Sequence, residues 1–355
     1  MNIPKLNIGN ITSKVPIVQG GMGVRVSLSP LAAAVANEGG IGTISSIALG
    51  DINASKNDYV KISCEALIRE IRKAQSMTKG ILAVNVMEAL SNAKDLIKAA
   101  VKGGIKMIVV GAGLPLKLPA IVEDDSVNLV PIVSSGRAAG LILRSWDRRY
   151  QRTADAFILE GPLAGGHLGF SNEQLDHIDE YSLEKLLPDV LSAVKIYEDK
   201  YDKKIPIIAG GGIYDGKDIA RMLSMGASGV QMGTRFVCTD ECNVSPEFKQ
   251  AYLDASEQDI AIIKSPVGMP GRAIKNKFLK ELENNGKLRI KCQYRCLSAC
   301  NIEKAKYCIA KALLNSWAGD VDNGLIFCGQ NAYRINKIVS VKELFSELCT
   351  ELKAA

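Results

Sequence analysis

One of the only two histidines in this sequence lies within a glycine-rich run. His167 follows Gly165 and Gly166 in the run 160–169, directly after an apolar segment. An imidazole exchanges protons near neutral pH and can donate a hydrogen bond to a developing anion. A lone histidine is more often structural than catalytic, but a position directly after a predicted strand favours catalysis. We therefore predict that His167 is the catalytic residue.

The second histidine lies in a different kind of sequence. His177 falls in the polar stretch 172–180 and is expected at the surface. Neither histidine is accompanied by a cluster of His and carboxylate residues at metal-ligand spacing, so the sequence predicts no metal site at either.

Glycines also follow four of the apolar runs that we interpret as strands. Glycine tolerates positive φ and lets the backbone approach a ligand, so that N–H groups can cradle a phosphate. The alternative is that each glycine only turns a tight corner. Because the last two segments both carry the pattern, we predict phosphate binding there. In chain order the segments are Gly20-Gly21-Met22-Gly23, Gly111-Ala112-Gly113, Gly210-Gly211-Gly212 and Gln231-Met232-Gly233-Thr234.

The elements that must position these residues are eight short apolar runs that alternate with amphipathic segments. Such alternation is typical of a parallel sheet covered by helices, and eight repeats predict an α/β fold of the closed (β/α)8 (TIM) barrel type, whose loops after strands seven and eight often bind phosphate. A doubly wound open sheet is the alternative, but its G-x-G-x-x-G fingerprint does not follow the first strand. The predicted strands are 16–20, 40–46, 81–86, 107–111, 130–134, 156–160, 205–209 and 229–232, and the predicted helices include 28–37, 64–76, 93–103, 136–149, 183–201 and 216–225.

The alternation stops near Val237. We expect a barrel over residues 1–237 and a mainly helical, cysteine-containing extension or lid over 238–355. Within the extension, residues 264–272 are turn-rich and apolar, which suits either a loop laid over the barrel mouth or a plain linker.

Composition excludes several classes of function. The sequence is 47% hydrophobic, and its net charge of +6 comes from basic residues dispersed along the chain. Without a concentrated basic face, nucleic-acid binding is not expected. No signal peptide precedes the barrel and no apolar stretch is long enough for a membrane span, so we expect a cytoplasmic protein with reduced thiols.

Three cysteines of the extension follow C-x3-C-x3-C spacing. They are Cys292, Cys296 and Cys300, and Cys308 and Cys328 follow them. On a helix the first three would share one face. They could ligate an iron–sulfur cluster, although neither common ferredoxin spacing nor a C-x2-C pair is present. The alternatives are buried reduced thiols, or redox-sensitive thiols whose pKa is lowered by Lys291 and Arg295.

Over residues 3–237 the sequence resembles the nitronate monooxygenase family, once called 2-nitropropane dioxygenases, and the similar FMN-dependent enoyl-ACP reductases. The resemblance implies FMN as cofactor, with the phosphate held by the last two segments. It places His167 at the family's catalytic histidine, and Asn85 and Glu160 along the isoalloxazine and its ribityl side, with Gly165 behind the ring. The motifs that carry it are 16–23, Val84-Asn85-Val86, Ala164-Gly165-Gly166-His167, 208–213 and 231–236.

The resemblance implies specific site residues and a small-molecule substrate. The predicted cofactor-binding residues are Gly20, Gly21, Met22, Gly23, Asn85, Glu160, Gly165, Gly166, Gly211, Gly212, Gln231, Met232, Gly233 and Thr234. The leading hypothesis is oxidation of alkyl nitronates or nitroalkanes with oxygen. The alternatives are reduction of enoyl thioesters or quinones with NAD(P)H, and a flavin-binding module without catalysis. For the oligomeric state, the hypothesis is a homodimer.

Two departures from the family pattern bear on the substrate and the oxidant. Glu160 stands where many relatives carry Gln, and Pro162-Leu163 replaces a Ser/Thr-Glu pair. An acidic group near the flavin disfavours the anionic reduced form.

Overall fold

The computed structural model describes residues 2–51, 54–288, 290, 292 and 296–355, with Lys56 described by its backbone alone. Eight parallel strands form a closed barrel in the order β3 to β8, then β10 and β11, and β11 pairs with β3. The strands are β1 (Leu6–Ile8), β2 (Ile11–Ser13), β3 (Ile17–Gln19), β4 (Ile41–Ser45), β5 (Ile81–Met87), β6 (Met107–Gly111), β7 (Asn128–Val133), β8 (Phe157–Glu160), β9 (Gly166–His167), β10 (Ile207–Gly210), β11 (Gly229–Met232), β12 (Ile260–Lys264) and β13 (Pro270–Ile274).

The predicted (β/α)8 barrel is confirmed. Each of the eight predicted runs contains or overlaps one barrel strand, and the pairing of Val230 with Ile17 closes the sheet, which excludes the open doubly wound alternative. The largest difference in the helices is at α2, which begins well before residue 64 because Ser55 caps its first turn. The helices are α1 (Ser29–Asn37), α2 (Lys56–Met77), α3 (Ala93–Lys102), α4 (Leu118–Ile121), α5 (Gly136–Tyr150), α6 (Asn172–Asp176), α7 (Leu183–Tyr201), α8 (Gly216–Ser224), α9 (Thr234–Val237), α10 (Pro246–Leu253), α11 (Lys277–Asn285), α12 (Ile309–Trp317) and α13 (Val341–Ala354).

The N-terminal hairpin β1–β2 packs against the interior of the barrel. Leu6 and Ile8 belong to one buried cluster with side chains of the barrel strands, such as Ile41, Met107 and Ile208. These three lie in the first half of their strands. The hairpin therefore fills the N-terminal end of the barrel and leaves the opposite end for a ligand, as is usual for this fold.

The C-terminal extension contains a β-hairpin in addition to helices. Residues 264–272, predicted as a covering loop or a linker, form the turn of the hairpin β12–β13, and β13 pairs antiparallel with β9 of the sixth barrel loop. The hairpin thus lies over the barrel mouth. At the other end of the extension, α13 packs against α8 and α1. The division of the chain at residue 237 stays a proposal.

The residues that the structure describes do not form a helix that would place the first three cysteines of the array on one face. Cys292, Cys296 and Cys300 lie in turns and irregular backbone between α11 and α12. The reason is a long-range one: Leu297 forms a β-bridge with Leu90 in the loop after β5, and the N–H of Ser91 donates to the Cys296 carbonyl at 3.1 Å. Lys291 and Arg295 lie outside the described residues.

Among the described residues, no helix has both the length and the apolar character needed to span a membrane.

Gly42 tests the packing of the barrel wall. A Cβ at this position of β4 would lie 1.8 Å from the Ala32 carbonyl oxygen in α1, which is backbone and cannot turn away. We expect Gly42→Ala to lower the free energy of unfolding by about 2 kcal/mol, because overpacking forces helix and strand apart. Chemical denaturation measures the change.

Gly140 provides the matched control. It lies within α5, and a Cβ there would meet nothing within 4 Å. Gly140→Ala should therefore raise stability by about 1 kcal/mol, since alanine favours the helix. Equal effects of the two substitutions would contradict the packing argument.

Candidate active site

A cavity of about 250 Å³ opens at the C-terminal end of the barrel strands. The predicted catalytic residue and all the predicted cofactor-binding residues line it, so the structure brings them together, while their roles stay predictions. Gly113, from the fourth loop, does not line the cavity. The side chain of His177 is exposed to solvent, as predicted. The residues that line the cavity are His167 with Gly20, Gly21, Met22, Gly23, Asn85, Glu160, Gly165, Gly166, Gly211, Gly212, Gln231, Met232, Gly233 and Thr234.

His167 is positioned by a strand that pairs with the extension. It forms β9 with Gly166 and stands opposite Gly271 of β13. Its Nε2 lies 2.8 Å from the Ser265 Oγ in the hairpin turn, and its ring meets the edge of Phe327 at 5.0 Å between centroids. Backbone pairing, a hydrogen bond and a ring contact therefore fix the imidazole.

A buried arginine holds the loop that carries His167. Arg272 is only 1% exposed, and its Nη1 donates to the carbonyl oxygens of Pro162 and Ala164, each at 2.6 Å. A buried charge is tolerated when it is hydrogen-bonded, and bonds from a charged donor are stronger than neutral ones. This side chain fixes the path of the sixth loop from within the extension.

At two positions of the site a neighbouring chain segment lies so close that only glycine fits. A Cβ at Gly165 would lie 2.6 Å from the backbone carbon of Cys328, and one at Gly21 would lie 2.3 Å from the Cβ of Asn85. The first contact joins the sixth loop to the extension, and the second brings the first loop against β5. At these positions the residue type follows from packing.

The glycines of the seventh loop have a similar explanation. Gly211 and Gly212 have φ of +98° and +88°, and a Cβ on either would come within 2.9 Å of the sixth loop. The tight-corner alternative therefore accounts for why they are glycines. The loops after strands seven and eight still have binding capacity, because among the described residues the N–H groups of Gly212 and Thr234 have no protein acceptor.

Burial sets the charge of His167. Its removal from solvent lowers the pKa of the imidazole to about 4, because the charged form loses hydration. The ring is consequently neutral at pH 7, with one nitrogen free to accept a proton or hydrogen bond.

Burial has the opposite effect on the carboxyl group of the site. It raises the pKa of Glu160 to about 7. The side chain is thus protonated below neutral pH and ionised above it. Near neutrality this wall of the cavity carries a partial negative charge that changes steeply with pH.

Several residues of the cavity come from the extension, where sequence reasoning named none. Asn331 donates from Nδ2 to the Gly212 carbonyl at 2.8 Å, and the N–H of Gly329 donates to the Thr234 Oγ1 at 2.9 Å. A glycine between a cysteine and two amide residues, in Cys328-Gly329-Gln330-Asn331, was the available signal. The missed residues that line the cavity include Tyr252, Phe327, Cys328, Gln330 and Asn331.

The two histidines allow a direct test of this electrostatic description. We expect one imidazole, His167, to titrate at about pH 4 because burial opposes its protonation. NMR of the protein labelled only at histidine measures both rings, and His177→Gln assigns them by removing one signal. If the ring that remains in this variant titrates near pH 6.5, the ordinary value for histidine, the assigned burial is wrong.

Comparison with known proteins now identifies the family. A model of the nitronate monooxygenase family matches residues 5–351. A probable nitronate monooxygenase of Bacillus subtilis is 25% identical, over 95% of each chain. A carboxyl-CoA dehydrogenase of Rhodococcus jostii is 30% identical over 77% of this chain, which spans 66% of that protein's length. The structure of FabK from Thermotoga maritima superimposes with a TM-score of 0.75 at 27% identity, covering 96% of this chain and 94% of the other. This chain belongs to the nitronate monooxygenase family.

Proposed function

We propose that this flavin-dependent oxidoreductase uses FMN to oxidise alkyl nitronates or nitroalkanes with oxygen. The observation that carries the proposal is a neutral imidazole, His167, fixed at the wall of a cavity lined by the family's flavin-binding segments. The match of the family model over residues 5–351 supports the same activity.

The residues present fit FMN. The unpartnered N–H groups of Gly212 and Thr234 would bind phosphate oxygens. Asn331 orients the same loop, because its Nδ2 donates to the Gly212 carbonyl oxygen. The Ser46 hydroxyl lines the same cavity and is buried without a protein partner, so it is available to a polar group of the cofactor. Bound FMN would supply the acceptor for the substrate's electrons. Asn85 and Glu160 would lie beside the flavin, as the resemblance implies.

His167 would move the proton that precedes oxidation. Its neutral ring would take the α-proton of a nitroalkane at the nitrogen that carries no hydrogen, or would donate a hydrogen bond to a nitronate anion. The Ser265 hydroxyl, 2.8 Å from Nε2, would keep the ring oriented in either role. Protonated Glu160 would favour the anionic reduced cofactor, and ionised Glu160 would oppose it.

A second candidate reaction is reduction of enoyl thioesters or quinones with NAD(P)H. Two similarities favour it: the carboxyl-CoA dehydrogenase of Rhodococcus jostii at 30% identity, and FabK at a TM-score of 0.75. NAD(P)H would be the electron donor and an activated enoyl group or a quinone the acceptor, and bound FMN would supply the redox chemistry. A non-catalytic flavin-binding module is the candidate of another class.

The proposal includes a cytoplasmic location and a homodimeric assembly. All nine cysteines are free thiols, which fits the reducing cytoplasm. The partners would be a small substrate together with oxygen or NAD(P)H, and a homodimer is the assembly to test by sedimentation.

Anaerobic stopped-flow mixing distinguishes the two reactions. We expect flavin absorbance to bleach rapidly on mixing with propionate-3-nitronate or 2-nitropropane, because these substrates would deliver electrons directly. Rapid bleaching by NADH or NADPH, with no response to either nitro compound, would replace the first candidate with the second. Protein that binds no FMN after dialysis and reconstitution would remove the flavin assignment.

Substitution of His167 tests whether the cavity is catalytic. His167→Gln should lower turnover about a hundredfold or more while FMN stays bound, since general acid–base catalysis contributes on that scale. His177→Gln is the control, because this residue is exposed and does not line the cavity. Equal turnover in wild type and His167→Gln would exclude His167 as the catalytic residue, whereas FMN binding without turnover in either protein would favour the non-catalytic module.

A further inference from the structure

Four cysteines of the extension line a second, small cavity of about 20 Å³. Every other side chain in its wall is apolar except the phenol of Tyr307. The cavity is lined by Cys292, Cys296, Cys300 and Cys308 together with Pro266, Ile290, Leu297, Ile302, Ala305, Tyr307 and Ile309. Cys328, which the sequence grouped with the array, lines the large cavity instead.

The backbone brings the four thiols together without regular secondary structure of its own. The N–H of Leu288 donates to the Lys306 carbonyl at 2.7 Å, which closes a loop that contains three of the cysteines. The loop is fastened to the barrel where Ser298 N–H donates to the Ala89 carbonyl at 2.9 Å. Cys308 follows the loop as the N-cap of α12.

Tyr307 provides an independent indication that this cavity binds a ligand. It is only 2% exposed, and among the described residues its hydroxyl has no hydrogen-bond partner. A buried hydroxyl without a hydrogen bond destabilises the folded protein, and an acceptor on a ligand would remove that cost. Burial raises the pKa of this phenol, so it remains a donor. It lines the same cavity as the thiols, and the sulfur atoms of an iron–sulfur cluster accept hydrogen bonds.

We propose that Cys292, Cys296, Cys300 and Cys308 ligate an iron–sulfur cluster. Four thiolates are the ligand set of both the [2Fe–2S] and the [4Fe–4S] types. Among the described residues no three His, Cys, Asp or Glu side chains are grouped to hold a single metal ion. The four thiols line one cavity, and a cluster divides its four ligands among several iron atoms.

Burial affects the protonation of two of the thiols. Burial and the neighbouring cysteines raise the pKa of Cys296 to about 12. Burial also raises the pKa of Cys300. Iron would stabilise the thiolates and release their protons, which couples binding to the folding of the loop.

The position of the cluster site relative to the flavin cavity is informative. Cys296, Leu297 and Ile309 line both cavities, so a single layer of side chains separates them. A cluster here would be a direct neighbour of whatever occupies the barrel.

Iron and acid-labile sulfide analysis of the whole protein tests the proposal. Anaerobically purified protein, reconstituted with ferrous iron and sulfide, should contain the two elements in equal amounts and show the electron paramagnetic resonance of a reduced cluster after dithionite treatment. If analysis of the reconstituted protein finds no acid-labile sulfide, or finds zinc in place of iron, the proposal is wrong whatever the variants do.

Serine variants locate the site. Cys300→Ser and Cys308→Ser should each lose at least half of the iron and sulfide, whereas Cys349→Ser, at a half-buried cysteine of α13, should retain both. Circular dichroism establishes that each variant keeps its barrel. Folded Cys300→Ser and Cys308→Ser proteins with the full iron and sulfide content of the wild type would refute the assignment.

Discussion

The bonds from the Arg272 guanidinium to the Pro162 and Ala164 carbonyl oxygens hold the candidate site together. These acceptors belong to the loop that leads to His167, and the donor belongs to a hairpin far along the chain. Once the charge is buried, loss of either partner would leave an unsatisfied group, which is costly inside a protein. The loop is therefore restricted to conformations in which both carbonyl groups face the arginine.

The site is consequently a product of two parts of the chain. The barrel provides glycine-rich loops at the C-terminal ends of its strands, and the extension provides the strand β13 against β9, the Phe327 ring against His167, and the Asn331 amide under the seventh loop. The same extension shields His167 from solvent, which is why the imidazole is neutral. Its chemistry depends on residues that are distant in sequence.

Local sequence pattern was sufficient for the barrel and for the glycine-rich loops of the barrel that line the cavity. Strands such as Met107–Gly111 are apolar throughout because both faces are covered, and the glycines after them mark the strand ends. Pattern was insufficient where long-range contacts decide. An i, i+4 repeat of cysteines would share one face of a helix, but pairing with the loop after β5 selects an irregular path for the described residues. Arg272 likewise shows its role only once the fold brings it to Pro162.

The pairing of β9 with β13 also has a consequence for the order of assembly during synthesis. The last barrel strand ends at Met232, whereas β13 begins at Pro270. A chain emerging from the ribosome can close its barrel while the partner strand of β9 is still in the exit tunnel. The nascent protein would then hold a complete barrel with an unfixed His167 loop, and chemistry at the site would begin only after the later segment folds over it.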